Sequence, residues 1–310
     1  MEAQLKEQLE KLNEKYEAMG QDLSSYLDGL LHADYLTYWD YIHLDTLLSL
    51  QNPRTAFPDE KIFILYHQVT ELYFRMILNE LEQICFTDKP TPELFIKRIT
   101  RISNYFDHLI SSFGVMIDGM DKEQFLAFRM ALLPSSGFQS GQYRKIEIMC
   151  TDFSQLIDAQ DSSDLDPSTE DVESIYEHLY WKRGATELAT GKKTLTLRQF
   201  EAKYTREFIE LAEKVKPVNV RKKFSQHFSG NEEIVRLLRG LDHKVNIQWP
   251  LQHLKAASTY LQRKPEVIEA TGGTNWQKYL PPLKQKITFY PEIWSKDELD
   301  NWGKNFNPPA

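Results

Sequence analysis

Two neighbouring stretches repeat apolar residues at helical spacing for much longer than an ordinary strand extends. The first runs from Asp59 to about Phe86, with apolar positions at Ile62, Leu65, Tyr66, Val69, Leu72, Tyr73, Met76 and Ile77. After Pro90 and Pro92, the same period continues from Glu93 to about Met116. No strand-like alternation of useful length appears, nor a Walker or dinucleotide-binding glycine pattern. The sequence therefore predicts an all-α protein, a multi-helix bundle.

We expect residues 1–310 to form a single all-helical domain with an N-terminal arm at 1–34 and an insertion at about 155–195. The arm has an apolar seam that either packs on its own body or a second subunit, or belongs to a charged surface helix. The acidic segment Asp158–Glu173 lacks the spacing of an EF-hand and is predicted to be exposed. Further helices are predicted at Leu36–Leu50, Val172–Trp181, Leu197–Val215 and Val218–Arg239, and Asp59 is predicted to cap the long helix that follows it.

The charge balance and the cysteines exclude several classes of function. With 45 acidic and 37 basic residues the net charge is -8, which argues against general affinity for nucleic acid or an anionic membrane. The cluster Arg221–Lys223 is predicted to be a solvated helix face. Cys85 and Cys150 form no CxxC or CxxCH motif, so any haem would be held non-covalently. Because no apolar run spans a bilayer and no signal-peptide core is present, we expect a cytoplasmic protein with reduced thiols.

A histidine near the start of a helical run is the first candidate ligand. Pro250 either begins this helix or kinks a longer one, and His253 follows it. Ala256 and Ala257, at i+3 and i+4, occupy the same face and leave almost no bulk beside the imidazole. A flat macrocycle coordinated through its iron would need such a face. The alternative is a buried, hydrogen-bonded histidine of the core.

Two further residues could face a pocket. His67 lies one turn after Phe63 and one turn before Glu71, so it is either a core histidine paired with Glu71 or a pocket imidazole. Arg129 lies in an apolar stretch, where a guanidinium needs an anionic partner, either a bound carboxylate or an internal acidic residue. The serines of the following loop have no accompanying His/Asp arrangement, so nucleophilic catalysis gains no support.

Four motifs together resemble the tryptophan 2,3-dioxygenase family of haem enzymes, bacterial type. Pro134–Ile146 contains the specific run Ser-Gly-Phe-Gln-Ser-x-Gln, preceded by Phe128-Arg129. The others are Leu36-Thr-Tyr38-x-x-Tyr41, Asp59-Glu-x-x-Phe63 with His67-Gln-x-x-Glu71, and His253-Leu-Lys with Thr271-Gly-Gly. They occur in the family's order between residues 36 and 275.

The resemblance implies a tryptophan/indoleamine dioxygenase-like fold with haem b between helix faces, one per subunit, in a homotetramer built as a dimer of dimers. It implies that O2 is inserted across the indole C2–C3 bond of L-tryptophan to give N-formylkynurenine, the first step of the kynurenine route. His253 would be the axial iron ligand, with Ser136 and Gly137 near the haem edge. The substrate-binding residues of the same subunit would be Phe63, His67, Phe125, Arg129 and Thr271. A neighbouring subunit would contribute Tyr38, Tyr41 and Ile42.

The chain departs from the family pattern in a longer loop at Lys264–Glu269 and an altered segment at Thr271–Gln277. These differences concern the loop expected to close over the substrate. Two alternatives therefore stay open. One is a related haem monooxygenase acting on an indole or tryptophan derivative, and the other is a non-catalytic haem-binding helical protein.

Overall fold

The protein is helical throughout the part that the structure, a computed structural model, describes: residues 2–159, 171–186, 192–261 and 280–304. Within those ranges there is no strand, only the isolated bridges Ile157 to Leu179 and Thr186 to Lys193. The all-α prediction is confirmed. The α-helices are α1 (Glu2–Ala18), α2 (Leu23–Leu31), α3 (Tyr38–Tyr41), α4 (Leu44–Leu48), α5 (Pro58–Cys85), α6 (Pro92–Ile117), α7 (Lys122–Phe128), α8 (Gly141–Cys150), α9 (Val172–Glu177), α10 (Tyr180–Gly184), α11 (Leu195–Val215), α12 (Val220–His227), α13 (Glu232–His243), α14 (Trp249–Leu261), α15 (Pro282–Gln285) and α16 (Lys296–Asp300).

The chain divides into two compact units, Met1–Asn52 and Pro53–Ala310. In the first unit, Asp22 caps α2 by accepting hydrogen bonds from the backbone N–H groups of Ser24 and Ser25. The single helix predicted over Leu36–Leu50 is wrong, because His43 has a φ of 50° between α3 and α4. A left-handed residue cannot continue a right-handed helix, so it ends there.

In the second unit, α5 packs against α6 and α8 around the main hydrophobic core. The periodicity correctly predicted both long helices, and their inward faces are fully buried at Ile77, Leu81, Ile84, Phe95, Ile99, Ile102 and Phe106. Pro92 begins α6 after Thr91, whose hydroxyl accepts a hydrogen bond from the Leu94 N–H. Within this unit, α7, α8 and α12 pack against α5, and α13 and α14 pack against α6.

The predicted cap at Asp59 is wrong. The helix begins at Pro58 after Phe57, and the Asp59 carboxylate instead accepts a hydrogen bond of 2.6 Å from the backbone N–H of Asp121. Glu60, 1% exposed, accepts hydrogen bonds from the backbone N–H groups of Arg54 and Thr55. The Asp59 carboxylate therefore binds the backbone just before α7, and the Glu60 carboxylate binds the loop before α5. Neither carboxylate caps α5.

Two predictions about the later helices also need correction. The predicted helix Val218–Arg239 is two helices, because the side chain of Asn231 caps α13 by accepting from the Ile234 N–H. Within the cluster Arg221–Lys223, predicted to be solvated, Lys223 is 3% exposed and donates to the backbone carbonyls of Thr87 and Asp88. A lysine buried in this way satisfies carbonyls just beyond the C-terminus of α5.

The segment 171–186 contributes to the core, with Ile175, Tyr176, Leu179 and Trp181 buried. The acidic residues before it lie largely outside the described part of the chain. Cys85 and Cys150 are buried free thiols, as predicted, and burial raises the pKa of Cys85 to about 12. Across the described ranges, no helix combines the length and apolarity required to cross a membrane.

Candidate functional site

A cavity of about 320 Å³ lies within the second unit, between α5, α6, α8, α10 and α14. Its walls include both histidines that the sequence singled out, His67 from α5 and His253 from α14. Phe63, Phe125, Ser136 and Gly137 also line it. Six of the eleven predicted site residues therefore share one space, although they come from four separate segments of the chain.

His253 presents its imidazole to this cavity. The His253 side chain is exposed because it faces the cavity rather than packed protein atoms. Within the described ranges its ring nitrogens have no hydrogen-bond partner, and its nearest ring is Phe113, with centroids 6.2 Å apart. Desolvation, with the nearby charges of His67 and Arg144, lowers the pKa of His253 to about 4. At neutral pH the imidazole is therefore uncharged and keeps a lone pair for coordination.

The helix face around His253 is as open as its sequence predicted, since Ala256 and Ala257 both line the cavity one turn further on. Pro250 kinks a longer helix rather than starting a new one. The backbone runs from α13 through a π-helical turn at Lys244–Gln248 directly into α14. The sequence left open whether Pro250 begins a helix or lies within a longer one, and in the structure it lies within a longer one.

His67 has a defined tautomer. Its Nδ1 lies 2.7 Å from the carbonyl oxygen of Phe63, which can only accept, so Nδ1 carries the proton. Burial lowers the pKa of His67, which keeps the ring neutral and leaves Nε2 as an acceptor. Glu71, the partner considered from sequence, instead accepts a hydrogen bond of 2.9 Å from the Gln142 amide. His67 is therefore a neutral acceptor on the wall of the cavity.

Aromatic rings form one side of the cavity beside His67. Phe63 lies 4.1 Å from the His67 ring and 6.2 Å from Phe125, centroid to centroid. Phe125 in turn contacts Tyr260 at 4.7 Å. Rings at these separations give a flat aromatic ligand an apolar slot with edge and face contacts.

The remaining predicted residues are not among the described residues that line the cavity. Arg129 is 8% exposed in the short 3₁₀ helix after α7, and it is not among the described residues lining the cavity. Burial lowers the pKa of Arg129. Thr271 lies outside the described residues. Tyr38, Tyr41 and Ile42 belong to the first unit and are exposed there, at 71%, 75% and 37%.

Arg144, Glu147 and Tyr180 form a buried ionic triad, of which Arg144 and Tyr180 line the cavity. Arg144 Nη1 donates to Glu147 at 2.7 Å and to the Tyr180 hydroxyl at 2.8 Å, and that hydroxyl donates to Glu147 at 2.5 Å. Burial disfavours the charged guanidinium, but the attraction of Glu147 outweighs it and raises the pKa of Arg144. The guanidinium also lies over the rings of Tyr143 and Trp181, 5.2 and 4.9 Å from their centroids.

Comparison with known proteins shows a similarity to one family. A sequence model of tryptophan 2,3-dioxygenase matches residues 29–164, which carry three of the four motifs. Over these residues, less than half of the chain, the protein is similar to the tryptophan 2,3-dioxygenase family.

Curated members of the tryptophan 2,3-dioxygenase family extend this result. The Ruegeria sp. (strain TM1040) enzyme is 42% identical over 117 residues, 37% of this chain and 41% of the relative. The Bordetella pertussis enzyme is 36% identical over 134 residues, 43% of this chain and 46% of the relative. These matches span less than half the length of those relatives. The Paraburkholderia phytofirmans enzyme is 27% identical over 269 residues, 84% of each chain.

Sequence reasoning missed several cavity residues. Trp181 and Tyr180 lie in the segment assigned to an insertion, and Trp249 and Phe113 were not singled out from the sequence. Arg144 and Glu147 carried a usable signal, because opposite charges at i and i+3 on a mainly apolar helix predict a buried pair. Tyr180 had no such signal, being 36 residues from Arg144.

Proposed function

We propose that the protein is a haem-dependent dioxygenase that inserts O2 across the indole C2–C3 bond of L-tryptophan. The product would be N-formylkynurenine, and the reaction would be the first step of cytoplasmic tryptophan breakdown by the kynurenine route. One observation carries the proposal: two neutral imidazoles, His67 and His253, face the same aromatic-walled cavity. The similarity of residues 29–164 to the tryptophan 2,3-dioxygenase family supports it.

The donor set fits a haem. An uncharged imidazole without a hydrogen-bond partner among the described residues, beside two alanines, leaves room for a flat ring at the His253 side of the cavity. His253 would hold the iron of a non-covalent haem b, one per subunit, and Ser136 and Gly137 would contribute to the haem-binding site. When bound, the haem would supply the redox chemistry by which both atoms of O2 enter the product.

The protein's own residues would bind and orient the substrate. Nε2 of His67 would accept a hydrogen bond from the indole N–H, which fits the tautomer that Phe63 imposes. Phe63 and Phe125 would wall the indole ring, while Arg129 and Thr271 would bind the carboxylate and the ammonium group. His67 need not remove a proton, since holding the indole in position is sufficient for the role.

We further propose a homotetramer, a dimer of dimers, in which Tyr38, Tyr41 and Ile42 reach the active site of a neighbouring subunit. Their exposure supports this, because large apolar and aromatic side chains are usually covered in the functional state. Each chain would act as one catalytic domain, with residues 1–34 as its arm and about 155–195 as an insertion.

The absorption spectrum of purified protein, before and after dithionite and tryptophan, tests the proposal. His253→Ala should lose the Soret signature of histidine ligation, whereas His227→Ala, a histidine exposed on α12, should keep it. Normal histidine-type ligation in His253→Ala would refute the assignment. Addition of tryptophan should change the absorption spectrum. A spectrum that does not change on addition of tryptophan would favour a non-catalytic haem-binding protein.

Product and kinetics separate the remaining alternatives. Mass spectrometry should find two added oxygen atoms in the product, since one would indicate a monooxygenase. His67→Ala should weaken turnover without abolishing it, and complete loss with haem and substrate still bound would contradict an orienting role. Arg129→Ala should reduce kcat/KM. The reduction should correspond to a loss of a few kcal/mol of transition-state stabilisation, as expected for a broken charge-assisted pair. An unchanged kcat/KM would exclude carboxylate binding.

A further inference from the structure

Asp242, outside the cavity, is a fully buried carboxylate that accepts four hydrogen bonds. Oδ1 accepts from the Asn246 amide at 2.7 Å and the Phe289 N–H at 2.9 Å. Oδ2 accepts from the Tyr290 N–H at 3.3 Å and the Trp294 indole N–H at 2.9 Å. Burial raises the pKa of Asp242 to about 6, so at pH 7.5 the carboxylate is mostly ionised and both oxygens accept.

One of these four donors lies in an irregular part of the helical backbone. Asn246, 5% exposed, is the central residue of the π-helical turn Lys244–Gln248 that joins α13 to α14. A π-turn holds one residue more than an α-turn, and such turns occur frequently at functional sites. One residue corresponds to about 100° of helix rotation, so the turn changes which face of α14 meets the cavity.

The neighbouring contacts secure the same turn. Lys244 Nζ donates to Asp107 on α6 at 2.6 Å, and the Tyr143 hydroxyl reaches the carbonyl of Val245 at 3.5 Å. Pro250 has no N–H with which to close an α-helical bond to the carbonyl of Asn246, so the turn cannot simply revert to regular helix. Beyond this turn, His253 is less than one helical turn from Pro250.

We propose that Asp242, acting through Asn246, is a positioning residue that holds the π-turn and thereby sets the direction in which His253 enters the cavity. The inference rests on the proposed role of His253 as the residue that holds the haem iron. Phe289, Tyr290 and Trp294 donate to the same carboxylate from outside the π-turn.

Two single substitutions isolate the contact that matters. Asn246→Ala removes the donor inside the π-turn, and Trp294→Phe removes a donor to the same carboxylate from outside it. The haem-loaded, dithionite-reduced proteins would be compared by resonance Raman spectroscopy of the iron–histidine stretching band. Transfer of haem to excess apomyoglobin gives a second readout. We expect Asn246→Ala to shift or broaden the band and to speed haem transfer at least threefold. Trp294→Phe should lower the urea midpoint and leave the band unmoved.

Asp242→Asn, which turns one accepting oxygen into a donor, should move the band in the same direction as Asn246→Ala and further. If neither variant changes the band or the transfer rate, the inference is wrong. It is equally wrong if Trp294→Phe shifts the band as much as Asn246→Ala, because the carboxylate would then act only through general stability. His253→Ala distinguishes a failure of this inference from a failure of the proposed function. If His253→Ala retains histidine ligation of the haem, the proposed function is refuted.

Discussion

Replacing Arg144 by Met tests the energetics of the buried triad. Glu147 is 0% exposed and the Arg144 side chain 10%, so the substitution leaves a desolvated carboxylate whose only remaining partner among the described residues is the Tyr180 hydroxyl. Breaking one side of a buried ion pair costs about 3–5 kcal/mol, more than the net value of the intact pair, because the remaining charge keeps its desolvation penalty. We expect Arg144→Met to lower the free energy of unfolding by that amount, a fall in Tm on the order of 10 °C.

The stability of the fold does not depend on the charges of Arg144 and Glu147 once both are removed together. Arg144→Met/Glu147→Leu/Tyr180→Phe replaces the triad with apolar groups of similar size and should recover to within about 2 kcal/mol of the parent. Arg206→Met, which breaks the exposed pair with Glu210, is the matched control and should leave the urea midpoint unchanged. Urea denaturation followed by far-UV circular dichroism measures all three proteins.

Either of two results would refute this account of the triad. If Arg144→Met lies within about 1 kcal/mol of the parent, the carboxylate is not desolvated as its burial implies. If the triple variant is as unstable as Arg144→Met, the loss comes from packing rather than from the orphaned charge.

Three further predictions follow from burial at other positions. Because burial lowers the pKa of His67, Nε2 stays an acceptor at pH 6.5, and kcat/KM for tryptophan should fall only at a lower pH, with an apparent pKa below the ordinary histidine value. A pH–rate profile whose acid limb lies above pH 7 would contradict this. Phe125→Ala should raise KM for tryptophan about tenfold, equivalent to about 1.4 kcal/mol of lost ring contact, and steady-state kinetics that show an unchanged KM would remove Phe125 from the substrate wall. Leu81→Ala, at a position with 0% exposure, should cost about 2–5 kcal/mol of stability in urea denaturation, and a cost below 1 kcal/mol would mean that the core relaxes around the void.

Much of this protein can be predicted from local pattern. The period of the apolar residues located α5 and α6 to within a residue or two at the bounds, and Pro92 marked where α6 begins. Spacing alone also identified the face that His253 shares with Ala256 and Ala257. These features depend on residues within one or two helical turns, where periodicity is informative.

Other features depend on segments that meet only after folding. Asp59 has the composition of an N-cap, yet it bonds to Asp121, 62 positions away. Arg144 finds Tyr180 36 positions away. No local rule could select these partners, because a short polar side chain satisfies a nearby N–H and a distant one equally well.

The candidate site shows the same division. Sequence alone determined that the chain is helical and that His67 and His253 each lie on a helix beside residues suited to a pocket. Only the tertiary structure decided that both face one cavity, that His67 keeps Nε2 as an acceptor, and that a π-turn lies before the helix of His253. The physical reason is that helix formation depends on near neighbours, whereas the direction a side chain faces depends on how helices far apart in the chain pack together.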